Sequence, residues 1–249
     1  MADLTDLIAR AWDMLSRWAV PVMMTLAYTL LAATSNTSTI GKTWMAAGLA
    51  LVMVAWFIFR ALTDAAALAR ALSVGEPARL FELAGRHLAR RRRPADRARF
   101  LVARGLAHLL RGEPTEALAA LDQARPAPEL QPLATTLRIV VLIELDRVAE
   151  LEGLTVRAPR TPWFAWLADG LLAWRDARLA DAAPLFSRVI DDIRAGSALR
   201  AIAHVYAARI AEAQADAAAA ARHRAAAANL AAPDAVWLRG ETAGTAAKP

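Results

Sequence analysis

The chain contains no cysteine. Disulfides, thiolate metal sites and cysteine nucleophiles are therefore excluded together, while redox chemistry leaves the compartment open. Lysine is nearly absent, since Lys42 and Lys248 are the only two among 30 basic residues. That arginine-for-lysine, alanine-rich usage reads as the compositional bias of a GC-rich bacterial genome. Twelve prolines and 11 glycines in 249 residues are too few for a collagen-like or disordered chain. The four histidines, His87, His108, His204 and His223, are scattered, and none stands at metal-ligand spacing from another His or a carboxylate. His204 and His223 fall on neighbouring expected helices without a third ligand. The acidic pairs Asp191-Asp192 and Glu150/Glu152 lie among arginines, as a solvated ion-pairing face does. No catalytic residue, metal ligand or cofactor is assigned, and the expectation is a chain that is not an enzyme.

Charge is missing from two stretches. Trp18 to Gly41 carries none, and after Lys42 neither does Thr43–Phe59. Crossing a hydrocarbon core of about 30 Å takes about 20 residues, so spans at about 18–34 and 43–59 predict a transmembrane hairpin over 18–59. A buried hairpin in a soluble protein is the alternative reading. Before it, Leu4, Leu7, Ile8, Ala11, Leu15 and Trp18 recur at helical spacing, which predicts an amphipathic interfacial helix over 1–17. Asp3, Asp6 and Asp13 are unlike the basic leader of a signal peptide. Arg10 and Arg17 precede the first span and Arg60, Arg70 and Arg79 follow the second, with only Lys42 between. Positive-inside counting then puts both termini in the cytoplasm of, by the composition, a bacterial inner membrane. In the loop, Asn36 to Thr43 is like a phosphate-binding loop, but Asn36 replaces the first glycine and no strand precedes it.

What charge there is lies unevenly. Residues 60–111 hold twelve arginines against Asp64, Glu76, Glu82 and Asp96, a local net of +8 in a chain whose total is +6. Helical pattern runs from Arg60 to Leu72, Ser73-Val-Gly75-Glu-Pro77 marks a turn, and a further helix is expected from Pro77 to about Arg92. Residues 60–93 thus read as connecting helices ending in a basic run. Arg90, Arg91, Arg92, Arg93 and Arg97 can face anionic lipid headgroups or serve as a solvated orienting patch. Nucleic-acid phosphate is the less favoured use, because no nucleic-acid-binding module surrounds the run.

From Pro94 the sequence repeats. In Arg99-FLVARGLAHLLRGEPTEALAALDQARPAP, Gly105 holds a small position in a first helix and His108 an aromatic one. Ala117, Leu121 and Ala124 hold the small, large and closing positions of a second. Trp163-FAWLADGLLAWRDARLADAAPLFSRVIDD places Trp166, Gly170, Ala182 and Phe186 at the same offsets, and Ala201–Leu230 repeats the small positions at Ala208, Ala220 and Ala227. Between them a degenerate copy near Leu133–Leu154 has room for only a shortened second helix. This pattern resembles the tetratricopeptide repeat family. The resemblance covers about residues 77–230 and implies an all-α fold, a short α-solenoid over 94–230 following the two-helix anchor, with a mobile tail at 231–249.

The resemblance further implies a protein partner on a concave face lined by the first helix of each pair. At those offsets stand Val102, Leu106, Leu109, Val140, Ile143, Phe164, Leu167, Leu171 and Trp174. That apolar set suits an apolar helix or peptide, whereas stripes of this kind also serve as plain core. The expected function is a membrane-anchored scaffold or adaptor, possible in assembly of a membrane complex. Its alternatives are a structural subunit of a larger membrane complex, or an anionic-lipid or nucleic-acid module built on Arg90–Arg93.

Overall fold

The computed structural model describes residues 25, 29, 39–89, 94–156 and 160–240. The described residues are helical, with no strand among them. They form nine α-helices: α1 (Thr39–Val74), α2 (Pro77–Leu88), α3 (Pro94–Leu110), α4 (Pro114–Gln123), α5 (Gln131–Glu144), α6 (Pro162–Arg175), α7 (Leu179–Asp191), α8 (Gly196–Ala213) and α9 (Ala217–Leu230). Three single 3-10 turns, Val148–Leu151, Ile193–Ala195 and Val236–Arg239, punctuate them. The expected interfacial helix, most of the first span, Arg90–Arg93 and the last nine residues lie outside the described residues. Thr25 and Thr29 are both helical, and the Thr29 hydroxyl donates to the Thr25 carbonyl at 2.7 Å.

The chain divides into two compact units between Ala66 and Ala67, within α1 rather than after Phe59. In the first unit α1 is bare. Leu51 is 72% exposed and Phe59 60%, and Val54, Phe57, Ile58 and Leu62 are exposed too. Ala46–Val74 is one helix of 29 residues long and apolar enough to cross a membrane. A second such span is not among the described residues.

In the second unit, α1 ends where Gly75 takes a left-handed φ of +73°, and Pro77 opens α2 with its preset backbone. The same device recurs. Gly112, Asp146, Ala177 and Ala215 all have positive φ, and each stands two residues before the next helix or 3-10 turn. At each, that residue's N–H bonds the carbonyl three back, and the following N–H bonds the carbonyl five back. Glu113 to His108, Arg147 to Leu142, Arg178 to Ala173 and Asp216 to Ala211 are the four longer bonds. Only one of these four residues is glycine, so the recurrence is written in backbone geometry and not in residue type. Helix α5 is followed by the single turn Val148–Leu151 where the other pairs have a second α-helix.

Small residues set how closely the paired helices approach. A Cβ on Gly105 of α3 would stand 2.9 Å from Leu121 Cγ of α4, and one on Gly170 of α6 would stand 3.0 Å from the Phe186 ring of α7. In the α8–α9 pair Ala208, Ala220 and Ala227 are buried in the same manner. Consecutive helices pack on one another from α2 to α9, and α3 with α5 and α6 with α8 make the additional contacts between alternate layers. The array then returns on itself. Gly75 lies so close to α8 that a Cβ there would be 2.8 Å from the Ala198 Cβ, and Asp234, beyond α9, accepts the Ala78 N–H at 2.7 Å to cap α2.

Candidate partner-binding site

The inner face of the second unit closes around one carboxylate. Glu144 is the last residue of α5, where the helix end points its side chain inward. Tyr206 and Arg209 stand three apart on α8 and therefore share a face. The Tyr206 hydroxyl donates to Glu144 Oε1 at 2.7 Å, Arg209 Nη1 donates to the same oxygen at 2.6 Å, and Nη2 reaches Oε2 at 3.2 Å. The fourth donor is the Trp237 indole, 3.3 Å from Oε2.

Aromatic rings wall this cluster. The Trp174 ring meets Tyr206 edge-on at 5.1 Å, and Phe186 stacks on its other side at 5.8 Å. The Arg209 guanidinium lies 4.7 Å from the Tyr206 ring centre and 5.7 Å from that of Trp174, within cation–π range. Burial by itself would push the Glu144 carboxyl up. The Arg209 hydrogen bonds and charge, with help from Tyr206 and Trp237, outweigh burial and hold it below the ordinary carboxylate value. Burial drives the Tyr206 phenol well upward, with the Glu144 charge adding to it. Burial would lower the Arg209 pKa, but the pairing with Tyr206 and Glu144 raises it, so the cluster is a fixed ion pair with a neutral phenol.

The fourth donor arrives from beyond α9. The 3-10 turn Val236–Arg239 lies against α3, α8 and α9, and it buries Trp237 to 5% exposure and Leu238 to 2%. The segment expected to be mobile from residue 231 is thus seated through Leu238, because an indole beside a carboxylate acceptor satisfies its N–H while burying its ring.

The nine residues expected to line the partner groove fall in two groups. Val102, Leu106 and Leu109 of α3, Val140 of α5, and Leu167 and Leu171 of α6 are at most 1% exposed and belong to the continuous core. They do not present an open surface: the neighbouring helices of that core cover them. Ile143, Phe164 and Trp174 are half-buried at the edge of that core. Of the nine, Trp174 touches the cluster directly and Ile143 is the neighbour of Glu144. Sequence reasoning passed over Glu144 and Tyr206. The available signal was a lone carboxylate ending an otherwise apolar helix, with a Tyr-x-x-Arg face on a later helix.

Two other polar clusters lie apart. His204 of α8 and His223 of α9 face each other with 3.0 Å between their Nδ1 atoms. Burial first, then the charges of His223 and Arg200, push His204 down to about 4 against the opposing pull of Asp191; burial and Arg222 lower His223. His108 Nδ1 lies 2.6 Å from Glu113 Oε2, with the Phe81 ring edge-on at 4.7 Å. Among the described residues no three His, Asp or Glu side chains gather as a metal site would require. Arg97 is half-buried on α3, and the rest of the arginine run lies outside the described residues. The chain matches no protein-family model, no curated protein and no solved structure.

Proposed function

We propose that this chain is a membrane-anchored helical-repeat adaptor that binds a protein partner and does no chemistry of its own. The observation that carries the reading is the preformed cluster of Glu144, Arg209, Tyr206 and Trp174 facing inward from three layers of a helix-pair array. Aromatic and arginine side chains already held rigid are the residue types that dominate binding energy at protein interfaces. The four equivalent turns at Gly112, Asp146, Ala177 and Ala215 support a tetratricopeptide-like solenoid, since three of them join the two helices of a pair and the fourth follows α5 at the corresponding point.

The bare apolar helix α1 supports the anchor. A helix with large apolar residues exposed around its circumference needs lipid or another protein to cover it. Pairing it with the charge-free stretch 18–34 makes the hairpin, and the arginine distribution orients both termini toward the cytoplasm of a bacterial inner membrane. Anionic lipid at Arg90–Arg93 and Arg97 fits the same orientation. The same exposed helix favours, as a second reading, a subunit whose spans pack into a larger membrane complex.

The test is affinity purification of the tagged full chain from mild detergent, comparing wild type with Trp174→Ala once circular dichroism shows equal helicity. A partner kept by wild type and lost by the variant supports the adaptor. Identical partners in both would move the interaction to the spans or the arginine run.

A further inference from the structure

The Val236–Arg239 turn differs from the core it lies on. It is one 3-10 turn of four residues, joined to α9 by the non-helical stretch 231–235. Its apolar anchorage is concentrated in Trp237 and Leu238. Beside the linker a cleft opens, lined by Arg79, Glu82, Leu230 and Pro233, so the strap lacks packing on that side. Besides one indole and one leucine, only the small Ala232 and Ala235 and the Asp234 hydrogen bond to the Ala78 N–H hold the segment, and these are set against the ordering of about ten chain positions.

What the turn would leave behind is equally informative. Were Trp237 to withdraw, the Glu144 carboxylate would still accept from Tyr206 at 2.7 Å and from Arg209 at 2.6 and 3.2 Å. No buried charge is orphaned by the departure, which removes the usual reason for a buried tryptophan to be permanent. The acceptor is held independently of Trp237 too, because Tyr206, which donates to it, is braced by Trp174 and Phe186. An acceptor held in place without its indole donor is preorganised to receive one.

We infer that the C-terminal turn is a built-in pseudo-ligand: it fills a tryptophan-accepting pocket on Glu144 and Arg209 until a partner segment carrying a Trp followed by an apolar residue displaces it. The inference rests on the adaptor reading and specifies its partner. The occupant's chemistry is read from the seated segment: an indole N–H for Glu144, a ring for the space between α3, α8 and α9, and a leucine one position later. Because the internal copy competes at high effective concentration, a separate segment displaces it only when present in large excess, brought close or given extra contacts.

The absence of cysteine from the chain makes the test clean. In the full-length protein in detergent, Ala235→Cys reports a site that is 0% exposed and leaves Trp237 and Leu238 in place, and Arg239→Cys reports an exposed one. A hydrophilic maleimide should label the first about tenfold or more slower than the second. Excess synthetic peptide of sequence Ala232–Gly240 should raise the Ala235→Cys rate toward that of the exposed control, and the same peptide with alanine replacing its tryptophan should not. A second measurement needs no cysteine: a fluorescent copy of the peptide should bind Trp237→Ala about tenfold or more tighter than wild type, whose pocket is filled.

Equal labelling of the two cysteines without peptide overturns the proposal, because the turn is then not seated. Protection that persists at saturating peptide, together with no gain in peptide binding by Trp237→Ala, overturns it as well, because the turn is then permanent core. The adaptor reading fails separately. A partner captured equally by wild type and Trp237→Ala keeps that reading and sinks this one, whereas peptide exchange with no captured partner keeps the exchangeable turn and sinks the adaptor.

Discussion

Glu144 and Arg209 stand sixty-five residues apart in the chain, yet their side chains meet at 2.6 Å across the interior of the second unit. This pair ties the end of α5 to the middle of α8 and is the hub on which Tyr206 and Trp237 converge. Replacement of Glu144 by Ala leaves a partly buried guanidinium and a buried phenol without their acceptor. The expected loss is about 2–4 kcal/mol, less than for a fully buried pair because Arg209 keeps some contact with water. Urea unfolding followed by circular dichroism measures it; a change within about 0.5 kcal/mol would mean that the pair contributes no net stability.

The left-handed turn residues offer a gain instead of a loss. Ala177 and Ala215 have φ of +57° and +58°, where a Cβ is strained and glycine is not. Ala177→Gly and Ala215→Gly should each stabilise by about 0.5–1 kcal/mol, and Gly112→Ala should destabilise by about 1 kcal/mol. Thermal midpoints of the three variants decide it, and a drop for both glycine variants would show that the turns are not under strain.

The close approaches at Gly105 and Gly170 predict coupling. Gly170→Ala pushes a methyl group to 3.0 Å from the Phe186 ring and should cost about 1–3 kcal/mol. Adding Phe186→Leu, which by itself leaves a void, should recover part of that cost. A double-mutant cycle reads the coupling, and simple additivity would place the strain elsewhere.

Acid should act on the His204–His223 pair. The folded value of His204, about 4, lies below its ordinary 6.5, so the unfolded chain binds more protons between those values. Stability is then complete above about pH 6.5 and is lost as pH falls toward 4, by about 2 kcal/mol once solvent access is allowed for. The groups facing the pair are Asp191 of α7, Arg200 of α8 and Arg222 of α9. Glu144, held below the ordinary carboxylate value, starts to lose its contribution only as pH falls through that ordinary value, at the acid end of the His204 limb. In His204→Gln the limb between pH 6.5 and 4 should flatten; an unchanged slope assigns it to other groups.

The exposed apolar helix makes the fifth prediction. Val54 is 58% exposed on α1 and faces what the anchor reading takes to be lipid. Arginine there should cost about 2.5–3.5 kcal/mol of insertion and move the chain out of the carbonate-washed membrane fraction. Unchanged fractionation of Val54→Arg would argue for a water-facing helix.

Much of the local structure was legible in the order of residues. The charge-free runs, the Gly75-Glu-Pro77 turn and the small positions of Gly105 and Gly170 follow from periodicity and steric size, which act between near neighbours. Even the meeting of His204 and His223 was accessible, because a short turn makes α8 and α9 adjacent. The sequence by itself therefore determined the succession of helices and the small positions in them, whereas the turns at Asp146, Ala177 and Ala215 and the facing of Leu121 and Phe186 onto Gly105 and Gly170 belong to the fold.

The tertiary structure alone decided that the inner face is closed and what closes it. Nothing near Glu144 announces that Tyr206, Arg209 and Trp237 will gather on it, since they arrive from 62, 65 and 93 residues further along the chain. Their meeting is set by side-chain packing between helices, a property of many residues together that no single stretch of sequence displays.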